Sequence, residues 1–403
     1  MLKQFLQAAE LTPAQCAGAL GVDVETFRSW LDDASSIPNL YGQALAAMLG
    51  ITLSDLRDTR RRSDDSVPAI WFRLRHENVT EADRTYVALI RRLAFLYDQF
   101  EQAMQTPSVL WETVFQGVRN ATPETSSPRE QGKRAAQVFR TTTGLQHGAR
   151  GIGEVFRGNL RQMGILVVET PLPASKIEGC SFVVASPLTQ PGKRPCIFAN
   201  THANTWFRRN FVLLHEVCHL IFDDRSTGLS IDFADTNVAH DVAEERADAF
   251  AQEMLVPSVV LKSEAQRNGI HWDSLDAEGL ARLVAETHAE QRVVLRAARS
   301  EGLIEEEQYK RLLDASIAPT LSQMSERALT AIQYFKRFPE QKATLENRKT
   351  TIPSVTLRLP ASYVKAVTEA AKLGTVSVGK AAEFLMIDRR TFATRFPDFV
   401  PEG

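Results

Sequence analysis

The fold of this chain is decided by residues 211–222, which read FVLLHEVCHLIF. His215 and His219 lie four positions apart, so on a helix they share a face, one turn from each other. Two imidazoles placed in this way can take adjacent corners of a tetrahedral zinc site. Apolar residues flank the pair on both sides, which is typical of a buried helix. The stretch therefore predicts a core helix that carries a metal site.

A general base is predicted beside these ligands. Glu216 follows the first histidine, where its carboxylate reaches a water on the metal rather than the metal itself. This H-E-x-x-H arrangement is typical of metallopeptidases, in which the glutamate takes the proton of the water and returns it to the leaving amine. Zinc, the predicted cofactor, lowers the pKa of the water and polarises the scissile carbonyl. His202 and His240 are candidates for an additional oxyanion donor, and each also fits a structural role.

A third ligand is predicted on residues 239–255, whose apolar residues form a helical stripe that Pro257 closes. Glu244 precedes Asp248 by one turn, so the two carboxylates share a face. We predict Glu244 as the ligand and Asp248 as the acceptor for the non-ligating N–H of a histidine. Glu245 is the alternative ligand, but it points about 100° round the helix from this face.

Composition indicates an ordinary globular protein with more than one domain. The chain has 403 residues, of which 44% are hydrophobic and 24% are charged, and this length predicts two or three domains. The sequence has no apolar run of about eighteen residues, so no membrane-spanning segment is expected. The N-terminus lacks the long apolar core of a secretory signal. The cysteines form no CxxC pair, which favours reduced thiols and a cytoplasmic protein.

The predicted fold class is mainly α, of the α+β type, with a small sheet in the middle of the chain. Short apolar runs predict strands at 165–168, 181–184 and 196–198. Changes in charge and pattern divide the chain into five segments: an N-terminal domain at 1–56, a charged linker and helical connector at 57–129, a central domain at 130–260, a helical extension at 261–318 and a C-terminal lobe at 319–403. No internal repeat is evident.

Residues 1–56 are predicted to contain a helix-turn-helix. Thr12 and Pro13 start one helix, a turn follows at Gly21, and Asp23 caps the next helix. The segment carries two basic and six acidic residues, so it neutralises phosphates poorly. We predict that it mostly docks protein, or binds DNA weakly and only as an oligomer; a bare helical bundle is the alternative.

The C-terminal lobe is basic and is predicted to bind nucleic acid. It carries thirteen Lys and Arg residues against eight Asp and Glu residues, which favours an anionic partner. Residues 334–338, which read YFKRF, interleave aromatic and basic side chains, as single-strand binders do for stacking and phosphate contact. The predicted contact residues are Lys336, Arg337, Arg389 and Arg390. A solvated helical tail is the alternative interpretation.

These features resemble the ImmA/IrrE family of metallopeptidases. The resemblance is carried by 177–180 (IEGC), 197–200 (IFAN), 208–211 (RRNF), 215–220 (HEVCHL) and 244–251 (EERADAFA). Upstream, 135–140 (AAQVFR) and 163–168 (MGILVV) are similar to the opening helix and strand of the family. The resemblance covers about residues 130–260, and many relatives carry an Xre-type domain in front, which residues 1–56 resemble.

The resemblance implies a zincin-like core flanked by helical N- and C-terminal domains. It implies that the ligands are His215, His219 and Glu244 and that the catalyst is Glu216. It also implies cleavage of a partner transcriptional repressor, itself of the Xre type, after DNA damage or phage attack. Relatives often have Gly where this chain has Cys218, and Asn where it has Asp248; neither departure removes a ligand.

We therefore predict a zinc endopeptidase that cleaves one regulatory protein, with single-stranded DNA as a candidate activator and a homodimer as a candidate assembly. The rival class is a non-catalytic DNA-binding regulator or anti-repressor, in which zinc is structural and closed by four protein ligands. A latent peptidase can also keep a thiolate on the open zinc position. Cys180 and Cys196, in strands expected near the cleft, are the candidates for that thiol, and small core residues are the alternative.

Overall fold

The structure, a computed structural model, describes most of the chain between its ends. The described residues are 12–38, 81–104, 110–123, 127–145, 155–172, 177–185, 193–202, 204–223, 229–233, 242–324 and 359–399, with single residues at 2, 3, 6, 41, 42, 45, 56 and 152. None of the helices in these ranges is long and apolar enough to cross a membrane.

A four-stranded sheet lies at the centre of the described part of the chain. Its strands are β1 (Leu166–Thr170), β2 (Ile177–Ala185), β3 (Lys193–Asn200) and β4 (Leu229–Phe233), in the order β1-β3-β2-β4. β1 is parallel to β3, whereas β2 is antiparallel to both β3 and β4. The three predicted strands are confirmed, and β4 is an addition to them.

Helices surround the sheet on both faces. Before it come α1 (Pro13–Leu20), α2 (Val24–Asp32), α3 (Glu81–Ala103), α4 (Leu110–Ala121), α5 (Pro128–Thr142) and α6 (Val155–Gln162). After β3 come α7 (Trp206–Phe222), α8 (Val242–Leu255), α9 (Ser258–Arg267), α10 (Ala277–Thr287), α11 (Gln291–Ser300), α12 (Glu306–Leu313), α13 (Ala318–Met324), α14 (Ala361–Lys372), α15 (Val378–Phe384) and α16 (Arg389–Arg395). The prediction of a mainly helical α+β protein is confirmed.

One face of the sheet packs on α7, the helix that carries the two histidines. Val167 of β1, with Ile197 and Ala199 of β3, joins a buried cluster with α7 on this side. The same cluster takes in α5, α8 and the helices from α9 to α13. The boundary predicted at residue 260 therefore falls inside a continuous core.

The other face of the sheet is covered by α3 and the C-terminal helices. Phe182 of β2 and Phe198 of β3 join a cluster with α3 and with α14 to α16 on this side. Arg194 of β3 ties α3 to the sheet, because its guanidinium pairs with Asp98 (3.5 Å) and with Glu101. The segment predicted as a helical connector therefore supplies a layer of the fold.

Candidate metal centre

Helix α7 holds the two histidines inside the protein. Thr205 caps its first turn by accepting a hydrogen bond from the backbone N–H of Arg208 (3.0 Å). All residues from 210 to 221 are buried, because the helix is packed between the sheet and α8. The helix ends at Phe222, and the backbone N–H of the C-cap residue Asp223 donates to the carbonyl of His219 (3.0 Å).

Three side chains converge between α7 and α8. Nε2 of His215 and Nε2 of His219 are 2.9 Å apart. Oε2 of Glu244 lies 3.1 Å from the His215 nitrogen, and Oε1 lies 3.5 Å from the His219 nitrogen. Among the described residues this is the one group of three or more metal-ligating side chains in which one ligand atom from each lies within 4.8 Å of the others. Glu245, the alternative ligand, is exposed on α8 and is not part of the group.

The second nitrogen of each imidazole faces a carboxylate. Nδ1 of His215 lies 3.2 Å from Oδ1 of Asp248, the contact expected of that residue. Nδ1 of His219 contacts Oδ2 of Asp223. We did not predict this residue, although a carboxylate four positions after a histidine lies next to it on a helix. Each carboxylate favours the tautomer that is protonated at Nδ1, which leaves the Nε2 lone pair for a metal.

Asp223 is also held by α8. Nη2 of Arg246 donates to its Oδ1 (2.5 Å), and the guanidinium lies over the ring of Phe222, 4.8 Å from its centroid. Burial opposes the charge of Asp223, but the hydrogen bond from His219 and the charge of Arg246 outweigh it and lower the pKa of Asp223. Asp223 is therefore an anion that joins the end of α7 to the first turns of α8.

Glu216 is fully buried, and the backbone of β2 passes close to its side chain. A Cβ at Gly179 would lie 2.8 Å from Oε1 of Glu216 and 2.5 Å from Cγ1 of Val212. The ladder between β2 and β4 is irregular at this point, as it is at a β-bulge. Only glycine fits there without displacing the carboxylate, so the IEGC stretch forms the wall against which Glu216 lies.

A buried ionic network fastens α7 to the sheet. Arg157 of α6 makes two hydrogen bonds, each of 2.9 Å, to the carboxylate of Glu169 on β1, and it donates to Oδ1 of Asn210 on α7 (2.7 Å). Burial alone would raise the pKa of Glu169, but the hydrogen bonds and charge of Arg157, with the charge of Arg209, lower it. The ionised pair therefore fixes the position of α7 over β1.

The two cysteines predicted to cap the metal lie on the far side of the sheet. Cys180 and Cys196 are buried in the cluster that α3 covers, whereas their strand neighbours Gly179 and Ile197 face α7. Neighbouring residues of a strand point to opposite faces, so neither thiol faces the metal-ligating group. Burial also raises the pKa of Cys196, which disfavours a thiolate. This placement contradicts the prediction of an inhibitory thiol.

The remaining predicted residues are only partly described. His202 lies just beyond β3, where its backbone N–H donates to Oδ1 of Asn200 (2.9 Å), and its role as an oxyanion donor stays a prediction. Arg389 and Arg390 are exposed in the first turn of α16. Outside the described residues lie the other oxyanion candidate and two predicted nucleic-acid contacts: His240, Lys336 and Arg337.

A family model matches the part of the chain that builds this site. Residues 160–286 match the model of the M78 peptidases, described as an IrrE N-terminal-like domain. No curated protein matches the chain. The matched segment contains the sheet, α7 and α8, and with them both histidines and Glu244. The match supports a metallopeptidase of the ImmA/IrrE type, which acts on protein, and the His-His-Glu group is where it can hold a metal.

Proposed function

We propose that this chain is a zinc-dependent endopeptidase that cleaves a partner transcriptional repressor. The observation that carries the proposal is the convergence of His215, His219 and Glu244, with the buried carboxylate of Glu216 on the same helix. The three ligands found among the described residues leave a fourth position for water or substrate, as in catalytic zinc sites, whereas a structural site is closed by four. The ligand set therefore favours an enzyme over the rival class.

The spacing of the three ligand atoms supports zinc as the metal. Bonds of about 2.0–2.1 Å to a tetrahedral zinc place its ligand atoms about 3.3–3.4 Å apart. The three distances in the structure are 2.9, 3.1 and 3.5 Å, so small movements of the side chains reach that geometry. Two imidazoles and a carboxylate are also the donor set of known zinc peptidase sites.

Glu216 is the proposed general base. When bound, zinc supplies a Lewis acid that activates water and polarises the scissile carbonyl. Glu216 follows His215 on α7, so its carboxylate can accept a proton of the water and return it to the leaving amine. Asp248 and Asp223 would hold the imidazoles in the tautomer that ligates through Nε2. Gly179 leaves the room that the carboxylate occupies.

The proposed substrate is a repressor of the Xre type, cleaved after DNA damage or phage attack. The resemblance to the ImmA/IrrE family and the match over residues 160–286 support this substrate class. Helices α1 and α2, separated by a short turn, are consistent with an Xre-type unit that could pair with such a repressor. Activation by single-stranded DNA rests on residues 334–338, which lie outside the described residues.

The test is cleavage of a small repressor encoded beside the gene, by wild type and by the Glu216→Gln variant. Zinc content is measured in both proteins, because an amide at this position leaves the three ligands in place. We expect cleavage by wild type alone, with zinc retained in both. Cleavage that persists in the variant would refute the role of Glu216, and cleavage that persists after chelation would refute the role of the metal.

The same experiment distinguishes the proposed endopeptidase from the rival, non-catalytic function. Binding of the repressor without cleavage, by protein that holds zinc, would favour an anti-repressor or a DNA-binding regulator in which zinc is structural. Running the reaction with and without single-stranded DNA distinguishes a missing activator from a missing activity.

A further inference from the structure

Helices α1 and α2 form a helix-turn-helix near the start of the chain. Gly21 ends α1 in the left-handed conformation (φ 68°), and the N–H of Val22 donates to the carbonyl of Ala17 (3.0 Å). Asp23 caps α2 by accepting from the backbone N–H of Thr26 (2.8 Å). The hydroxyl of Thr26 donates to the same carboxylate (2.6 Å).

Helices α15 and α16 repeat this arrangement near the other end of the chain. Met386 occupies the turn position with φ 56°, and the N–H of Ile387 donates to the carbonyl of Ala382 (3.0 Å). Asp388 caps α16 by accepting from the backbone N–H of Thr391 (2.8 Å), whose hydroxyl donates to the same carboxylate (2.5 Å). A methionine at positive φ is uncommon, so its agreement with the first turn is informative.

The two units also share buried side chains at a constant spacing along the chain. The identical pairs are Ala17 and Ala382, Leu20 and Leu385, Asp23 and Asp388, Thr26 and Thr391, and Phe27 and Phe392. Both alanines, both leucines and both phenylalanines are buried. The chain therefore contains one supersecondary unit twice, which corrects the prediction that it has no internal repeat.

The units differ where they meet solvent. The second helix begins with Val24 and Glu25 in the N-terminal unit but with Arg389 and Arg390 in the C-terminal unit. The basic residue of the N-terminal helix, Arg28, is paired with Glu25 (2.7 Å). The N-terminal unit is therefore acidic on the surface that is basic in the C-terminal unit.

Helix α16 presents this basic surface away from the core. Arg390 and Thr394 are exposed one turn apart on the side opposite the buried Phe392, and Arg389 and Arg395 flank them. Within the described part of the chain none of the three arginines forms an ion pair. Arginine neutralises phosphates and makes bidentate contacts to guanine in the major groove.

We propose that the C-terminal unit, residues 377–396, binds duplex DNA with α16 in the major groove, and that the acidic N-terminal unit contributes little to this affinity. In a helix-turn-helix the second helix enters the major groove while the first crosses the backbone. Single strands are instead bound on exposed aromatic side chains, but in this unit Phe384 and Phe392 are buried, and Phe396 is half-buried with its ring packed on Phe392 (5.2 Å). The unit therefore favours duplex over single-stranded DNA.

In the part of the chain that the structure describes, the side-chain contacts between this unit and α3 are made by α15. The ring of Phe384 packs edge-on against Phe100 of α3 (5.4 Å), and Lys380 donates to Gln99 of α3 (3.4 Å), while α16 joins the same cluster through the buried Phe392. Since α3 covers the face of the sheet opposite α7, DNA on α16 would be held by the same sheet whose other face carries the metal site.

The test is DNA binding by the full chain, followed by fluorescence anisotropy and independent of cleavage. The probes are a duplex of about three helical turns and a single strand of the same length, at about 50 and 200 mM salt. The test variant, Arg389→Val with Arg390→Glu, copies the residues that the N-terminal unit has at these positions. The matched control, Lys310→Val with Arg311→Glu, makes the same change of charge on two exposed residues of α12.

We expect the test variant to bind the duplex at least about tenfold more weakly at low salt. The slope of log affinity against log salt concentration should decrease by the amount that corresponds to about two phosphate contacts. The control should stay within about twofold of wild type. If circular dichroism shows that the double variant does not fold, Arg390→Ala replaces it, with a smaller loss expected. Duplex binding unchanged by these substitutions, an equal loss in the control, a larger loss of single-strand than of duplex binding in the test variant, or no duplex binding at low salt overturns the proposal.

Discussion

Replacing Asp223 with asparagine tests whether this carboxylate orients the metal site. In the protein its two oxygens accept hydrogen bonds from Nδ1 of His219 and from Nη2 of Arg246. Asparagine offers one oxygen and one NH2 group, so whichever way the amide is turned, a donor faces a donor. The Asp223→Asn variant therefore loses one of the two contacts.

The size of the effect follows from the exposure of the side chain. A hydrogen bond to a charged group contributes about 1.5–3 kcal/mol. The Asp223 side chain is 29% exposed, so water replaces part of the lost contact, and we take the lower end, about 1.5–2 kcal/mol. At about 1.4 kcal/mol per factor of ten, this free energy corresponds to a change of about 10- to 30-fold in an equilibrium constant. If the amide oxygen faces Arg246, the contact with His219 is lost, and we expect zinc affinity to fall. If the oxygen faces His219, the contact with Arg246 is lost, and we expect thermal stability to fall.

Two measurements separate these cases. Zinc affinity is measured by competition with a chromophoric chelator at neutral pH, and the melting temperature of the metal-free protein is measured in parallel. The control is Asp248→Asn, because Asp248 lies 3.2 Å from His215 and is 49% exposed, and we expect it to lose less than about threefold in zinc affinity. Zinc affinity within about twofold of wild type, together with an unchanged melting temperature, would refute the reasoning for Asp223.

Three further changes test the packing around the site. A Cβ in the Gly179→Ala variant would lie 2.8 Å from Oε1 of Glu216, so we expect peptidase turnover to fall at least about tenfold with zinc still bound; full turnover would show that the carboxylate has room to move. Gly132→Ala places a methyl group 2.2 Å from a backbone carbonyl of α8, and overpacking predicts a loss of about 1–3 kcal/mol in the free energy of unfolding, read from urea denaturation. Glu169→Gln breaks the buried pair with Arg157, which predicts a loss of about 3 kcal/mol at neutral pH. Because the pKa of Glu169 is lowered from its ordinary value of 4.5, its contribution is present above that pH and is lost as the pH falls through the folded-state value. The stabilities of wild type and variant should therefore converge in acid, and a difference that does not depend on pH would exclude an ionic cause.

The sequence by itself determined which residues could meet at the metal centre. His215 and His219 share a face because the helix repeat brings positions four apart together, whatever the helix packs against. Glu244 and Asp248 were predicted by the same local rule, and the structure brings both to the histidines. The mainly helical fold class and the three central strands could also be predicted from local sequence, because they depend on runs of apolar residues and on turn chemistry.

Only the tertiary structure decided what surrounds these residues. A shift of one residue turns every side chain of a strand to the opposite face, so the register of β2 and β3 placed Cys180 and Cys196 away from the metal and Gly179 against Glu216. Asp223 joins Arg246 across two helices, a contact between residues whose positions depend on how α7 and α8 pack. Helix periodicity is set by bonds between near neighbours in the chain, whereas these contacts are set by the packing of elements that the local pattern leaves free to slide and rotate.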